Sequence, residues 1–397
     1  MSSAVVRTLA AARKKEKSGI TFHDVGKTGP GTVAGQYLRL FWQPVCHATD
    51  VATKRTFPIR ILGEDFTVYR SETGVPHVIE ARCPHRSMPL HAGWVEGEEI
   101  RCYYHGWKFN AEGACTQQPA ERPDFCNKIS IKSYPTKEYL GLIFAYLGEG
   151  EPPEFARYPA FEADNALVMH DTYVRACNFF NNLENVGDLS HIAFAHGDAS
   201  VAWDETKDGP VITATESCWG VSIRAVRPSG REIVGQFGMP NIFHGRGVPD
   251  DPEVPYREFL AWWVPVEDDR HIQFTVVVQP KDSEVTERYM KRRDERAQQR
   301  DLDPTRESVA RELLAGTRRI EDIDPKRVNM IFLQDDFAQM GVGPIAERGN
   351  EHLGRGDIVL IMQRRLWVRE LAKFAEGEPL TDWRYDASRL PIKSEFL

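Results

Sequence analysis

Two short stretches in the first third of the chain each pair a thiol with an imidazole. Cys83-Pro84-His85 and Cys102-Tyr103-Tyr104-His105 give the pattern C-x-H-x16-C-x2-H, each half falling between a strand and a turn signal. Two thiolates and two imidazoles can hold Zn2+ tetrahedrally, or a [2Fe–2S] cluster with the sulfurs on one iron and the nitrogens on the other. Zinc fingers usually pair Cys with Cys and His with His, whereas each knuckle here mixes one of each. Mixed knuckles favour the iron–sulfur cluster over a structural zinc ribbon.

A second set follows near mid-chain, where Glu184, Asp188, His191 and His196 form E-x3-D-x2-H-x4-H. The spacing predicts Glu184, Asp188 and His191 on one face of a helix that also buries Phe179, Phe180, Leu183 and Ile192, with His196 following from the next turn. Charges and imidazoles on such a face need a compensating partner, and a metal supplies one. Two His and one carboxylate on one side of Fe(II) leave positions open for O2 and substrate. The plain alternative is a hydrogen-bonded helix face in a core. A metal would need a distant carboxylate, best sought in "IFLQDDFAQMGVGPI", where Asp335 and Asp336 sit among apolar residues. Glu184 either lines the iron pocket or satisfies a buried donor.

The elements that must position these groups fall into two styles. Thr56 to Tyr69 ("TFPIRILGEDFTVY") alternates around a Gly-Glu-Asp turn signal and predicts a β-hairpin. "GVPHVIEARC", "EEIRCYYHGWKFNAEGAC" and "YLGLIFAYLGEG" continue as short strands, so the region from about residue 45 to 150 is expected to be all-β. Pro and acidic residues concentrate in "EGEPPEFARYPAF", which marks a domain boundary. Beyond it, "GVSIRAVRPSGREIVGQFGM" and "REFLAWWVPVEDDRHIQFTVVVQP" alternate like strands of an antiparallel sheet. Glu287 to Arg300 is a charged helix or loop, and Asp303-Pro304 offers a start for a helix ending near Gly316. The second half is therefore α+β.

At 397 residues the chain is too long for one comfortable core. Its net charge of −8 argues against binding nucleic acid through a basic surface. No run of about 18 apolar residues occurs, and the basic start (Arg13, Lys14, Lys15, Lys17) lacks a secretory apolar stretch, so neither a membrane span nor a signal is expected. Seven scattered cysteines favour reduced thiols and a cytoplasmic setting. Cys46, Cys115, Cys126 and Cys177, lacking comparable partners, are expected to be small core hydrophobes.

"CPHR" and "CYYHGWKF" resemble the two cluster-binding loops of Rieske-type oxygenases. Met88 and Tyr104 stand where respiratory Rieske proteins carry extra, disulfide-forming cysteines, which points to the oxygenase branch. From about Gly31 onward the chain resembles the phthalate dioxygenase-like branch. There a Gln-Asp pair some nine residues before Gly-Pro-Ile carries the iron ligand, a position that Asp335 matches. The resemblance implies a Rieske cluster on Cys83, His85, Cys102 and His105, and a mononuclear Fe(II) on His191, His196 and Asp335. It also implies that Asp188 bridges an iron-ligand His to a cluster-ligand His of the neighbouring subunit, in a homotrimer or a stacked pair of trimers.

The implied fold is an all-β Rieske domain, residues 45–155, followed by a helix-grip catalytic domain, residues 156–397, in which an antiparallel sheet wraps a long helix. Residues 1–44 would pack on the catalytic domain. A flavin/iron–sulfur reductase, with or without a ferredoxin, would deliver NAD(P)H electrons for insertion of oxygen from O2 into an aromatic substrate. Relatives in this branch either cis-dihydroxylate aromatic acids or hydroxylate a methoxy carbon that then leaves as formaldehyde. A substrate carboxylate would need a cation such as Arg224, Arg227, Arg231 or Arg246. Two rivals, an electron carrier and a non-catalytic helix-grip binding protein, are disfavoured by the long second half and by the cluster loops respectively.

Overall fold

The protein is described by a computed structural model covering residues 19–386 apart from 123, 197–208, 229, 231, 247–257, 282–283 and 301–304. These residues form two compact units. The first comprises 28–155 with 264–267, and the second 19–27, 156–263 and 268–386.

The first unit is built from short antiparallel strands in three sheets. β1 (Trp42–His47), β11 (Leu142–Tyr146) and β10 (Thr136–Tyr139) form one. β2 (Thr56–Ile61), β3 (Glu64–Arg70), β4 (Pro76–Glu80) and β9 (Ser133–Tyr134) form the second. β5 (Trp94–Glu96), β6 (Glu99–Arg101), β7 (Lys108–Phe109) and β8 (Cys115–Gln117) form the third.

The expected hairpin is present, but its turn is Leu62-Gly63, one residue before the Gly-Glu-Asp signal, with both residues at positive φ (52° and 71°). Such a two-residue turn matches the strand twist and ordinarily disfavours leucine. Here Leu62 is fully buried and its N–H donates to Pro265 O at 2.7 Å, so packing overrides local preference.

The N-terminal segment does not pack as one piece on the second unit. Residues 28–44 belong to the first, because Tyr37 and Leu38 bury in its core and β1 adds to β11. Of the described residues in that segment, 19–27 lie on the second, where Phe22 meets Phe180 edge to face at 5.3 Å and Asn178 Nδ2 donates to Gly26 O at 2.8 Å.

The second unit carries one seven-stranded antiparallel sheet. In chain order its strands are β12 (Ala166–Arg175), β13 (Val211–Glu216), β14 (Gly220–Val226), β15 (Glu232–Gly238), β16 (Ile242–Arg246), β17 (Glu258–Glu267) and β18 (Arg270–Pro280). Their spatial order is β12-β18-β17-β16-β15-β14-β13. Against it lies the helix Ile358–Glu376, which buries Leu366, Trp367 and Leu371 and stops where Gly377 takes φ 69°. Trp367 Nε1 donates to Pro240 O at 3.0 Å, so the largest buried ring of that helix also satisfies its polar atom.

The charged stretch is helical over Glu284–Arg300. The next helix, Arg306–Leu314, is capped by Thr305 (Oγ1 accepting from Ser308 N), whereas Asp303 and Pro304 lie outside the described residues. Among the described residues no helix is long and apolar enough to cross a membrane.

Candidate metal centres

The two knuckles of the first unit share one backbone design. The N–H of Cys83 donates to Met88 O at 2.9 Å and that of Cys102 to Trp107 O at 2.8 Å. Each cysteine carbonyl then accepts from the residue four places on, Ser87 N at 2.9 Å and Gly106 N at 3.1 Å. Ser87 and Gly106 both sit at positive φ, 58° and 69°, which turns each loop back under its cysteine.

Cys83 and Cys102 are buried in a core with Leu90, Trp107, Phe109 and Ile131. Burial and the neighbouring Cys102 push the Cys83 thiol up to about 12, so only a cation in direct contact would hold it as thiolate. The rings of His85 and His105 meet edge to face at 4.4 Å, and Trp107 stacks on His85 at 4.5 Å. His85 Nδ1 is buried with no hydrogen-bond partner, as suits a nitrogen that faces a metal.

Among the described residues, only His191, His196 and Asp335 form a set whose ligand atoms all lie within 4.8 Å of one another. Cys83, His85, Cys102 and His105 fit a two-iron cluster, which spreads its ligands over two centres.

In the second unit the helix Phe179–Gly187 packs Phe179 and Phe180 edge to face on Trp367, at 5.7 and 5.9 Å. Its opposite side is a stripe of asparagines. Asn178 caps the helix by accepting from Phe180 N at 3.0 Å, Asn181 Nδ2 donates to Gln339 O at 3.0 Å, and Asn185 Nδ2 donates to Asp335 Oδ1 at 3.0 Å.

The expectation that Glu184, Asp188 and His191 share one helical face is corrected by the break after Gly187. A Cβ at Gly187 would come within 2.6 Å of Val359 Cγ1, so the helix end lies close against the long Ile358–Glu376 helix. Asp188, the C-cap, leaves helical geometry at φ −85°, ψ 87°. Its Oδ1 accepts from Ser190 N at 3.1 Å and His191 N at 3.3 Å, restarting the chain as a single turn, Ile192–Ala195, between the two histidines.

That turn aims both imidazoles the same way. His191 Nδ1 bonds to the carbonyl of Asp188, and His196 Nδ1 to Gln334 Oε1 at 3.0 Å. With each Nδ1–H donating to an oxygen, both Nε2 atoms carry the lone pair, 3.9 and 3.3 Å from Asp335 Oδ1. Burial pushes the His191 imidazole down. For His196 the neighbouring Asp335 carboxylate outweighs burial and raises it.

The two adjacent aspartates on the helix Met330–Gly341 part company. Burial opposes ionisation of Asp335, but His196 and the Arg175 guanidinium outweigh it and hold the carboxyl below its ordinary value. Asp336 instead takes Arg175 Nε at 2.6 Å and Arg306 Nε at 3.3 Å, and burial leaves it raised. Asp335 thus joins the histidines, and Asp336 anchors the helix to β12.

Glu184 is not brought to the triad. It is buried, with Oε2 on Arg348 Nη1 and Oε1 on Arg364 Nε, both at 2.5 Å. Of its two sequence readings the structure supports the satisfied buried donor. Asp188 is half-exposed, with Oδ2 3.9 Å from His191 Nδ1.

Three residues that complete the surroundings were not singled out from sequence. Gln334 and Asn185 stand close to sites that were, and the i, i+3, i+4, i+7 run of asparagines (178, 181, 182, 185) is a polar stripe that could have drawn notice. Arg175, on an edge strand, offers no local signal. Among the candidate carboxylate-binding cations, Arg224 is exposed and paired with Glu232, and Arg227 is buried. Arg231 and the side chain of Arg246 lie outside the described residues.

Residues 41–135 match the family model of the Rieske [2Fe-2S] domain. The chain is 31% identical to the tert-butanol monooxygenase / tert-amyl alcohol desaturase oxygenase subunit of Aquincola tertiaricarbonis, over 90% of this chain and 78% of that one. It is 28% identical to the 5,5'-dehydrodivanillate O-demethylase oxygenase subunit of a Sphingobium species, over 89% and 80%. Among solved structures, Pseudomonas putida CBB5 NdmA shares the fold with a TM-score of 0.62 at 22% identity, covering 85% of this chain and 91% of that one.

Proposed function

The chain belongs to the Rieske non-haem iron oxygenases, as a catalytic subunit of the phthalate dioxygenase-like branch, and we propose that its substrate is an aromatic carboxylate. It is the terminal oxygenase of a multicomponent system that takes electrons from NAD(P)H through a reductase. The Rieske cluster supplies one-electron transfer, and the mononuclear iron supplies O2 activation.

Cys83, Cys102, His85 and His105 would hold the cluster. His191, His196 and Asp335 hold the mononuclear iron. The observation that carries this reading is the convergence of two Nε2 atoms and one carboxylate oxygen within 4.8 Å, while each Nδ1 is taken up by a protein oxygen. Three ligands from one side leave positions for O2 and substrate. Asn185 holds the Asp335 oxygen from the helix behind, and Asp188 orients His191 through its carbonyl and its carboxylate.

In a homotrimer Asp188 joins His191 to a cluster histidine of the neighbouring subunit, and its half-exposed carboxylate supports that role. A ferredoxin or a flavin/iron–sulfur reductase is the electron donor, in the cytoplasm. The reaction is ring hydroxylation or oxidative removal of a methyl group from a methoxylated acid. The O-demethylase relative favours the second.

An oxygen-consumption screen tests this, with the protein, a reductase and NADH against aromatic acids with and without methoxy groups. Products are analysed for diols, phenols and formaldehyde. Uptake coupled to formaldehyde release from a methoxylated acid is the expected result. Coupled uptake with uncharged aromatics or tertiary alcohols, and none with acids, would overturn the carboxylate reading.

A further inference from the structure

Beside the cluster loops, two cysteines taken from sequence as partnerless core hydrophobes face each other. The Sγ atoms of Cys115 and Cys126 lie 3.5 Å apart, and both thiols are free. Cys115 is buried at the start of β8, whereas Cys126 is half-buried and opens a single turn, Cys126–Lys128. The backbone holds them there: Cys115 N donates to Ile129 O at 3.1 Å, and Ile129 N to Cys126 O at 3.0 Å. Closing a disulfide needs the sulfurs to approach to about 2.05 Å, a movement of one side-chain adjustment and not of a strand.

The geometry points to Cys115 and Cys126 as a reversible disulfide site, oxidised by a peroxide, whose closure reaches the cluster ligand His85 through Phe125 and Trp107. Cys126, the more exposed, attacks hydrogen peroxide as its thiolate. An S–O bond forms, the O–O bond breaks, and one water leaves once the released hydroxide takes up a proton. Cys115 then attacks the sulfenic sulfur; the S–S bond forms, the S–O bond breaks, and the thiol proton leaves with the second water. Two thiols and one peroxide give one disulfide and two waters, the two electrons passing from sulfur to oxygen.

The route inward is a file of rings. Phe125 precedes Cys126 in the chain and meets Trp107 edge on at 6.1 Å, and Trp107 lies face to face with His85 at 4.5 Å and 9°. A close-packed file transmits displacements of about an ångström because it has no free space to absorb them. This transmission rests on His85 as a cluster ligand, while the cross-link itself does not.

The test treats the holoprotein, with its cluster oxidised, with a few equivalents of hydrogen peroxide, then alkylates and digests it without reductant. Mass spectrometry is expected to find the Cys115 and Cys126 peptides joined, with two fewer alkylatable thiols per chain, restored by dithiothreitol. The visible circular dichroism of the cluster should change and recover in step. Cys115→Ser should keep the untreated spectrum yet give neither cross-link nor change. Absence of the cross-link, or cross-links to Cys83 or Cys102, would overturn the site. A cross-link with unchanged dichroism would overturn the transmission. Absence of cluster absorption before treatment would instead overturn the assignment of His85, leaving the cross-link readable.

Discussion

Asn185 donates its side-chain amide to Asp335 Oδ1 at 3.0 Å, the same oxygen that faces His196 at 3.3 Å and His191 at 3.9 Å. The amide fixes the carboxylate from a helix already locked by three other asparagines. Asn185→Leu should lower ferrous iron affinity by about 10- to 100-fold, the usual cost of removing a group that orients a ligand. Competition with a chromophoric chelator measures it, and unchanged affinity would show that Asp335 is oriented without Asn185.

The divergence of Asp335 and Asp336 separates two phenotypes. Asp335→Asn should lose mononuclear iron while keeping the Rieske spectrum. Asp336→Asn should keep iron but lose up to about 3 kcal/mol of stability, because the buried Arg175 charge loses its nearer carboxylate and keeps only Asp335, at 3.8 Å. Iron content per chain and urea unfolding read the two. Iron loss confined to the Asp336 variant would exchange the assignments.

Glu184→Gln breaks an ion pair shared by Arg348 and Arg364. A destabilisation of about 3 kcal/mol is expected with iron occupancy unchanged. Full stability together with loss of turnover would return Glu184 to the catalytic site.

Asp188→Asn keeps an oxygen that accepts from the Ser190 and His191 amides, so the turn and both metals should persist. The carboxylate charge is what disappears. Oxidation of the reduced cluster in single turnover with substrate and O2 should slow by orders of magnitude. A wild-type rate would make Asp188 an ordinary capping residue.

His271 sets a pH dependence away from the metals. It is wholly buried, with Nδ1 bonded to Cys177 O at 3.0 Å and Nε2 to the Asn182 amide at 2.9 Å, and burial pushes its pKa down to about 3. The unfolded chain titrates near about 6.5. Between these values the unfolded state binds a proton that the folded state refuses. The contribution is complete above about pH 6.5 and falls by up to about 1.4 kcal/mol per pH unit as pH drops toward 3. His271→Gln should be less stable at pH 8 yet lose less between pH 6.5 and 5, as thermal unfolding would show. Parallel profiles would mean that His271 protonates in the folded protein.

What the sequence made legible follows from how local each feature is. The cluster knuckles are short loops whose hydrogen bonds span four or five residues, so their pairing of Cys with His shows in the sequence, and the flanking motifs supplied the resemblance. The helix break at Gly187 was not legible, because E-x3-D-x2-H matches helical period and the contact that ends the helix comes from Val359. Asp335 and Asp336 are neighbours with the same side chain. Arg175, which takes up Asp336, lies 161 residues away on an edge strand and carries no motif. The strands of the second unit were readable by alternation, but not their order, since β12, the first in the chain, pairs with β18, the last.

The distances along the chain also order the assembly of the protein in time. All four cluster-loop residues are present once His105 has been made, and among the described residues the hydrophobic cluster packed around them ends at Ile131. By contrast, 138 residues separate His196 from the Gln334 that holds its ring, with six of the seven sheet strands between them. Closing so long a loop is slow until the intervening strands have paired. Cluster insertion can therefore begin on a nascent chain, whereas iron has no triad to enter until the second unit is folded. A chain halted before Gln334 is made should accept the cluster and hold no mononuclear iron.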